Sequence, residues 1–166
     1  MVKKMNFRDS GYALTYLGLA GIVFVSILGL EYAPGLKPCT GGGCWGAPEA
    51  YRILYLHVPF AWCSFLSFSV LFYGSLMWYL KRSEDAWVYF QSGADLGVIF
   101  GLGVITSGPI WASAEWGRPW DWGDMRLNSF ALLTAVALFL LYSRQSQPDT
   151  QQTRDTLSAV GLFGFA

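Results

Sequence analysis

Charge is scarce in this sequence. Charged side chains make up 13% of the 166 residues, about half of what a soluble domain carries (roughly 25%), and 54% are apolar. That shortage excludes a globular domain with water on every side. Eleven basic residues balance eleven acidic ones, so no field of one sign invites nucleic acid or another polyanion. Histidine is almost missing, with His57 the only one. There is no internal repeat. The one glycine run, Gly41-Gly42-Gly43, lacks the lysine and the strand-to-helix setting that a phosphate cradle needs.

What is abundant is long apolar sequence. Basic Lys3, Lys4 and Arg8 precede a run of 19 residues, Tyr12 to Leu30. A signal-peptide core is shorter and ends in an A-x-A-like site. At about 1.5 Å per residue this run covers roughly 28 Å, close to a bilayer core, and reads as a first transmembrane helix. Three further spans are expected at 53–80, 86–110 and 127–143, with polar connections at Lys81–Asp85 and Arg144–Asp155. A fifth run, 157–166, is too short to cross and stops with no polar flank, so the chain reads as a fragment ending inside a fifth helix. The expected fold is an all-α membrane protein: one domain, 1–166, a polytopic helix bundle of four transmembrane helices plus the start of a truncated fifth.

Basic residues set the expected orientation. With the N-terminus in the cytoplasm, Lys3, Lys4, Arg8, Lys81, Arg82, Arg144 and Arg154 lie inside, and Lys37, Arg52, Arg118 and Arg126 outside, in accord with the positive-inside rule. Helix parity then puts the Gly- and Pro-rich segment Glu31–Arg52, the segment Trp111–Arg126 and His57 on the same outer face.

Trp111–Arg126 is the most unusual segment. Its 16 residues hold Trp111, Trp116, Trp120 and Trp122, the carboxylates Glu115, Asp121 and Asp124, and the cations Arg118 and Arg126. One reading is an interfacial aromatic belt with neutralised charges. The other is a platform for a flat apolar ligand bearing acidic groups, with indoles stacking on it and arginine forks holding its carboxylates. His57 likewise has two readings, a hydrogen-bonded residue at a helix mouth or an axial ligand for haem iron. A haem, flat and carrying two propionates, would account for the histidine, the indoles and an arginine together. Asp95 lies roughly 14 Å into its helix, with no cation expected at that depth, and a carboxylate there is a candidate functional group or a helix–helix hydrogen bond. Cys39 and Cys44 could close a small disulfide loop in an oxidising compartment; they lack C-x-x-C-H spacing. Cys63 is expected to be packing.

Two blocks carry a family resemblance. Tyr51-Arg52-Ile53-Leu54-Tyr55-Leu56-His57-Val58-Pro59 is similar to an R-I-x-Y-L-H-V-P signature. Gly108-Pro109-Ile110-Trp111, then Trp116-Gly117, Trp120, Trp122, Asp124, Arg126-Leu127 and Ser129, follow a G-S-x-W…W-G-x-W-W-x-W-D-x-R-L-T-S run. Across about 145 residues the chain resembles the CcmC family of cytochrome c maturation system I, within the wider group marked by a Trp-rich "WWD" loop. Three departures stand out. Gly123 is inserted between Trp122 and Asp124, so that Asp121 becomes a rival for the role of Asp124. Pro119 replaces one Trp of the usual pair. The family's second axial histidine would follow the fifth helix, past Ala166.

The resemblance implies no catalytic residue. It implies haem b, transiently bound, with His57 as one axial ligand. Trp111, Trp116, Gly117, Trp120, Trp122, Asp124 and Arg126 would form the surface that holds the macrocycle, with Arg126 or Arg118 toward the propionates. It further implies an inner-membrane location, hand-over to the haem chaperone CcmE, and the transporter subunits CcmA and CcmB as neighbours. Two rivals remain: a longer haem-lyase relative of the CcmF or CcsA type, and a transporter or ion-pathway subunit centred on Asp95.

Overall fold

The structure, a computed structural model, describes residues 7–33 and 46–164. Cys39, Cys44 and Lys37, and with them the expected disulfide loop, lie outside the described residues. Among the described residues five α-helices follow one another: α1 Phe7–Tyr32, α2 Leu54–Lys81, α3 Glu84–Trp116, α4 Met125–Ser146 and α5 Gln151–Phe163, with a short 3-10 turn, Ala50–Ile53, leading into α2. No strand occurs among the described residues. Three stretches, Ala50–Lys81, Glu84–Trp116 and Met125–Ser146, are long and apolar enough to cross a bilayer, and α1 contributes the shorter apolar helix Tyr16–Tyr32. Leu14, Leu17, Phe24, Trp62, Leu66 and Leu132 are all exposed. An outer surface this apolar is made for lipid, and the molecule is a helical membrane bundle.

Local chemistry sets the helix ends. Arg82 takes the left-handed conformation after α2 (φ 51°), and Ser83 then caps α3, its hydroxyl accepting from Ala86 N at 3.3 Å. Glu84 and Asp85 complement the positive end of α3. Gly117, with φ +72°, closes α3 where a side chain would be strained. Asp124 caps α4, and Thr150 caps α5 by accepting from Thr153 N at 3.2 Å.

Packing depends on small residues. Among lipid-like surroundings apolar burial gives helices little reason to associate, so close approach has to supply it. Gly74 and Gly93 are each pressed against the other helix: a Cβ on Gly74 would collide with the Phe90 backbone, and one on Gly93 with the backbone of Leu71. One and two helical turns further along α3, Gly97 meets the Phe68 ring and Gly101 meets Thr134 of α4. Leu71, Phe90, Leu140 and Leu157 fill the core between α2, α3, α4 and α5, with Trp87 stacked on Phe90 (4.6 Å, 7°). Three hydroxyls inside the bundle return to their own helix: Ser67 to Cys63 O, Ser75 to Leu71 O and Thr134 to Phe130 O, at 2.7–2.9 Å.

Three sequence expectations are corrected here. Trp111–Trp116 belongs to α3, so only residues 117–124 connect α3 with α4; helical hydrogen bonding continues past the end of the apolar run until Gly117 stops it. The connection expected at Arg144–Asp155 shrinks to residues 147–150, because α4 runs on to Ser146 and Thr150 starts α5 early. As a result Arg144 sits on a helix facing α3, and its guanidinium donates to Asp95 Oδ1 at 2.7 Å. Asp95 therefore has the cationic partner that was not foreseen.

Candidate functional site

The other end of the bundle holds a cavity of about 220 Å³. Its wall combines α2, α3, the 117–124 connection and the first turns of α4. His57 comes from α2, Gly108, Trp111 and Trp116 from α3, Trp120 from the connection, and Asp124, Arg126, Leu127 and Phe130 from the start of α4. Helices running in opposite directions bring residues 50 to 70 positions apart to one mouth, so a histidine and an indole cluster far apart in sequence face a common space.

His57 is held firmly. Its Nδ1 is 2.9 Å from Ser107 Oγ, and that hydroxyl lies 2.6 Å from Gly103 O, one turn back along α3. The ring rests on Gly108, where an added Cβ would come within 3.1 Å of Cε1. Glycine at this position lets the imidazole lie close to the α3 backbone.

The indoles form two edge-to-face pairs and not one flat platform: Trp111 with Trp116 (4.7 Å, 72°) and Trp120 with Trp122 (5.7 Å, 62°). This is the arrangement that aromatic quadrupoles prefer, and it stiffens the wall. Trp120 Nε1 is buried without a hydrogen-bond partner, a donor left for something else to satisfy. Trp122 is 83% exposed and does not line the cavity; it braces Trp120 from outside. Gly117 does not line it either and acts as the α3 terminator.

The charges at the mouth are arranged in neighbouring pairs. Asp124 accepts from Arg126 Nε and Nη2 at 3.1 and 2.7 Å and from Arg126 N at 2.9 Å. The Arg126 guanidinium and the capping amides hold the Asp124 carboxyl down at about 2. Arg118 pairs with Asp121 at 2.7 Å, and Asp121 also accepts from Gly123 N at 2.9 Å. Both expected propionate partners therefore already carry a carboxylate, and an incoming anion would share or displace it. Asp124, not Asp121, sits on the cavity wall as the α4 cap; the inserted Gly123 is absorbed in the turn that Asp121 closes.

Four contributions escaped sequence reasoning. Ser107 and Phe130 reach the site only through helix packing. Asn128 fixes the connection by donating to Trp122 O at 2.7 Å. Glu115 accepts from Gly46 N at 2.8 Å and Ala47 N at 2.9 Å, tying the segment before α2 to the last turn of α3. An acid there opposes the helix dipole, which was a legible sign that it had a partner. Asp95 lies about 24 Å along α3 from Trp111, neutralised by Arg144, so the ion-pathway reading loses the unpaired carboxylate it rested on. Cys63 is free and half-buried in α2.

Comparison with known proteins gives concordant results. A family model described as CcmC, heme exporter protein C, matches residues 10–166. The chain is 32% identical over 139 residues to a heme exporter protein C of Paracoccus denitrificans, covering 78% of this chain and 57% of that one. It is 29% identical over 130 residues to the Escherichia coli protein of the same name, covering 76% and 49%. It is 32% identical over 111 residues to a putative cytochrome c biosynthesis ccmC-like mitochondrial protein of Marchantia polymorpha, covering 63% and 48%. The chain thus spans about half the length of these curated relatives.

Proposed function

The chain belongs to the heme exporter protein C family, and from that premise we propose that its cavity holds haem as cargo, on the way to c-type cytochromes, at the outer face of the inner membrane. The observation that carries this reading is the meeting of His57 with Trp111, Trp116 and Trp120 on a single wall. The residues suit the group: an imidazole for iron, apolar indole faces for the macrocycle, and Arg126 at the rim for a propionate, at the cost of loosening its pair with Asp124.

Haem b, when bound, would supply an iron for the His57 imidazole to hold. The protein's own residues would do the rest: the indoles would exclude water from the macrocycle, and His57 would fix its position. The cavity is below the roughly 300–1,000 Å³ usual for a ligand that is mostly engulfed, so the cargo is gripped in part and remains reachable. The role read from this wall is handling and delivery. The haem chaperone CcmE is the natural recipient, with CcmA and CcmB as the associated transporter subunits. The cytoplasmic N-terminus expected from the basic residues completes the topology.

Haem titration of the purified protein in nanodiscs tests this. The wild type is expected to develop a Soret band that His57→Ala shifts or weakens at least ten-fold in affinity. A wild type that takes up no haem, or a His57→Ala variant with an unchanged spectrum and affinity, would overturn the reading.

A further inference from the structure

Ser107 lies on α3, one turn before the Trp-bearing end of the helix. Its hydroxyl has one proton and two neighbours that could take it. Gly103 O, at 2.6 Å, is an acceptor only. His57 Nδ1, at 2.9 Å, is an acceptor in one tautomer and a donor in the other. If the hydroxyl gave its proton to Nδ1, two oxygens would face each other at 2.6 Å with no hydrogen between them. The proton therefore goes to Gly103 O, and Ser107 Oγ accepts from His57 Nδ1–H. The neutral imidazole then carries its free lone pair on Nε2.

We propose that Ser107 is a positioning residue which, through its relay to Gly103 O, holds His57 as the Nδ1–H tautomer and leaves Nε2 as the metal-binding nitrogen. The inference rests on the haem reading for its purpose, but its geometry stands by itself. Two features of α3 act on the ring together: Ser107 fixes one edge, and Gly108 leaves it room, since a Cβ added there would stand 3.6 Å from Nδ1 and 3.9 Å from Nε2. A metal-bound histidine generally donates its second ring N–H to an oxygen that sets ring angle and basicity, and loss of that oxygen typically weakens binding 10- to 100-fold. Here the oxygen belongs to a hydroxyl on the neighbouring transmembrane helix. The ligand on α2 is thus aimed by α3, the helix that also carries Trp111 and Trp116.

His57 is the only histidine, so histidine-selective ¹⁵N labelling gives one imidazole to observe. In haem-free wild-type protein in nanodiscs, the expected spectrum has a protonated Nδ1 and an unprotonated Nε2. Ser107→Ala is expected to admit the Nε2–H form and to weaken haem binding about ten-fold or more, while Ser107→Thr, which keeps the hydroxyl, restores both. A wild type in the Nε2–H form, or a Ser107→Ala variant that keeps the wild-type tautomer, would overturn the proposal. The tautomer is read without haem, so the two readings fail separately. A wild type with the expected tautomer that takes up no haem would sink the function and leave the assignment intact. Haem bound by a wild type in the other tautomer would do the reverse.

Discussion

Asp124 illustrates how much one side chain does at this site. It caps α4, neutralises Arg126 and forms part of the cavity wall. Its carboxyl is depressed to about 2, chiefly by the Arg126 side chain. A carboxyl held low in the folded state contributes stability in full above its ordinary value near 4, and loses it as pH falls from about 4 to about 2. Thermal unfolding in detergent should therefore show wild type and Asp124→Asn differing at pH 7 and converging toward pH 2. A constant difference across that range would mean that the carboxylate charge is not what matters. That His57 lies at the same end as the Trp residues was legible in the sequence, because helix parity puts both there. Ser107 was not, because nothing in a serine's neighbours along the chain announces a partner 50 positions away.

At the scale of the helices, the crossing of α2 and α3 sets the geometry of everything above it. Gly74 and Gly93 let two backbones touch, and the same pair of helices brings His57 to Ser107 and Gly108 several turns away. Gly93→Leu would force a side chain into the Leu71 backbone and should cost about 3 kcal/mol. Gly21→Ala on α1, where an added Cβ meets nothing within 4 Å, should be neutral or stabilising by up to about 1 kcal/mol. Melting temperatures of the two variants in one detergent provide the comparison, and equal losses would show that the crossing is not close-packed. The apolar runs made these helices readable, since run length against bilayer thickness is a strong signal. Their ends were less so. Hydrophobicity stops near Ile110, while hydrogen bonding continues to Trp116 until a left-handed glycine interrupts it. The same shortfall hid the pairing of Asp95 with Arg144: with Arg144 assigned to a loop, no helix remained to carry it toward α3.

At the scale of the whole molecule, a second set of polar contacts fastens the end away from the cavity. Arg82 and Asp155 form an ion pair, and Trp78 Nε1 donates to the same carboxylate at 2.8 Å. Arg154 lies over the rings of Trp78 and Trp87, at 5.4 and 5.1 Å, and reaches both Glu84 and Asp149. Arg82 and Trp78 together keep the Asp155 carboxyl below the usual range, and Arg154 does the same for Asp149. These contacts pin the start of α5 to the α2–α3 turn. Arg154→Met should preserve stem packing yet loosen that junction, at about 1–2 kcal/mol, with faster proteolysis between Gln147 and Thr150. Unchanged cleavage would show that apolar contacts of Leu157 alone secure α5.

The modest size of the indole-lined recess has a consequence for traffic. A holder that covers only part of a disc leaves the remaining rim in view, so a second protein can take hold before the first lets go. On the proposed haem reading, the direction of transfer would then be set by which of the two grips, that of the recess or that of the newcomer on the uncovered side, is stronger.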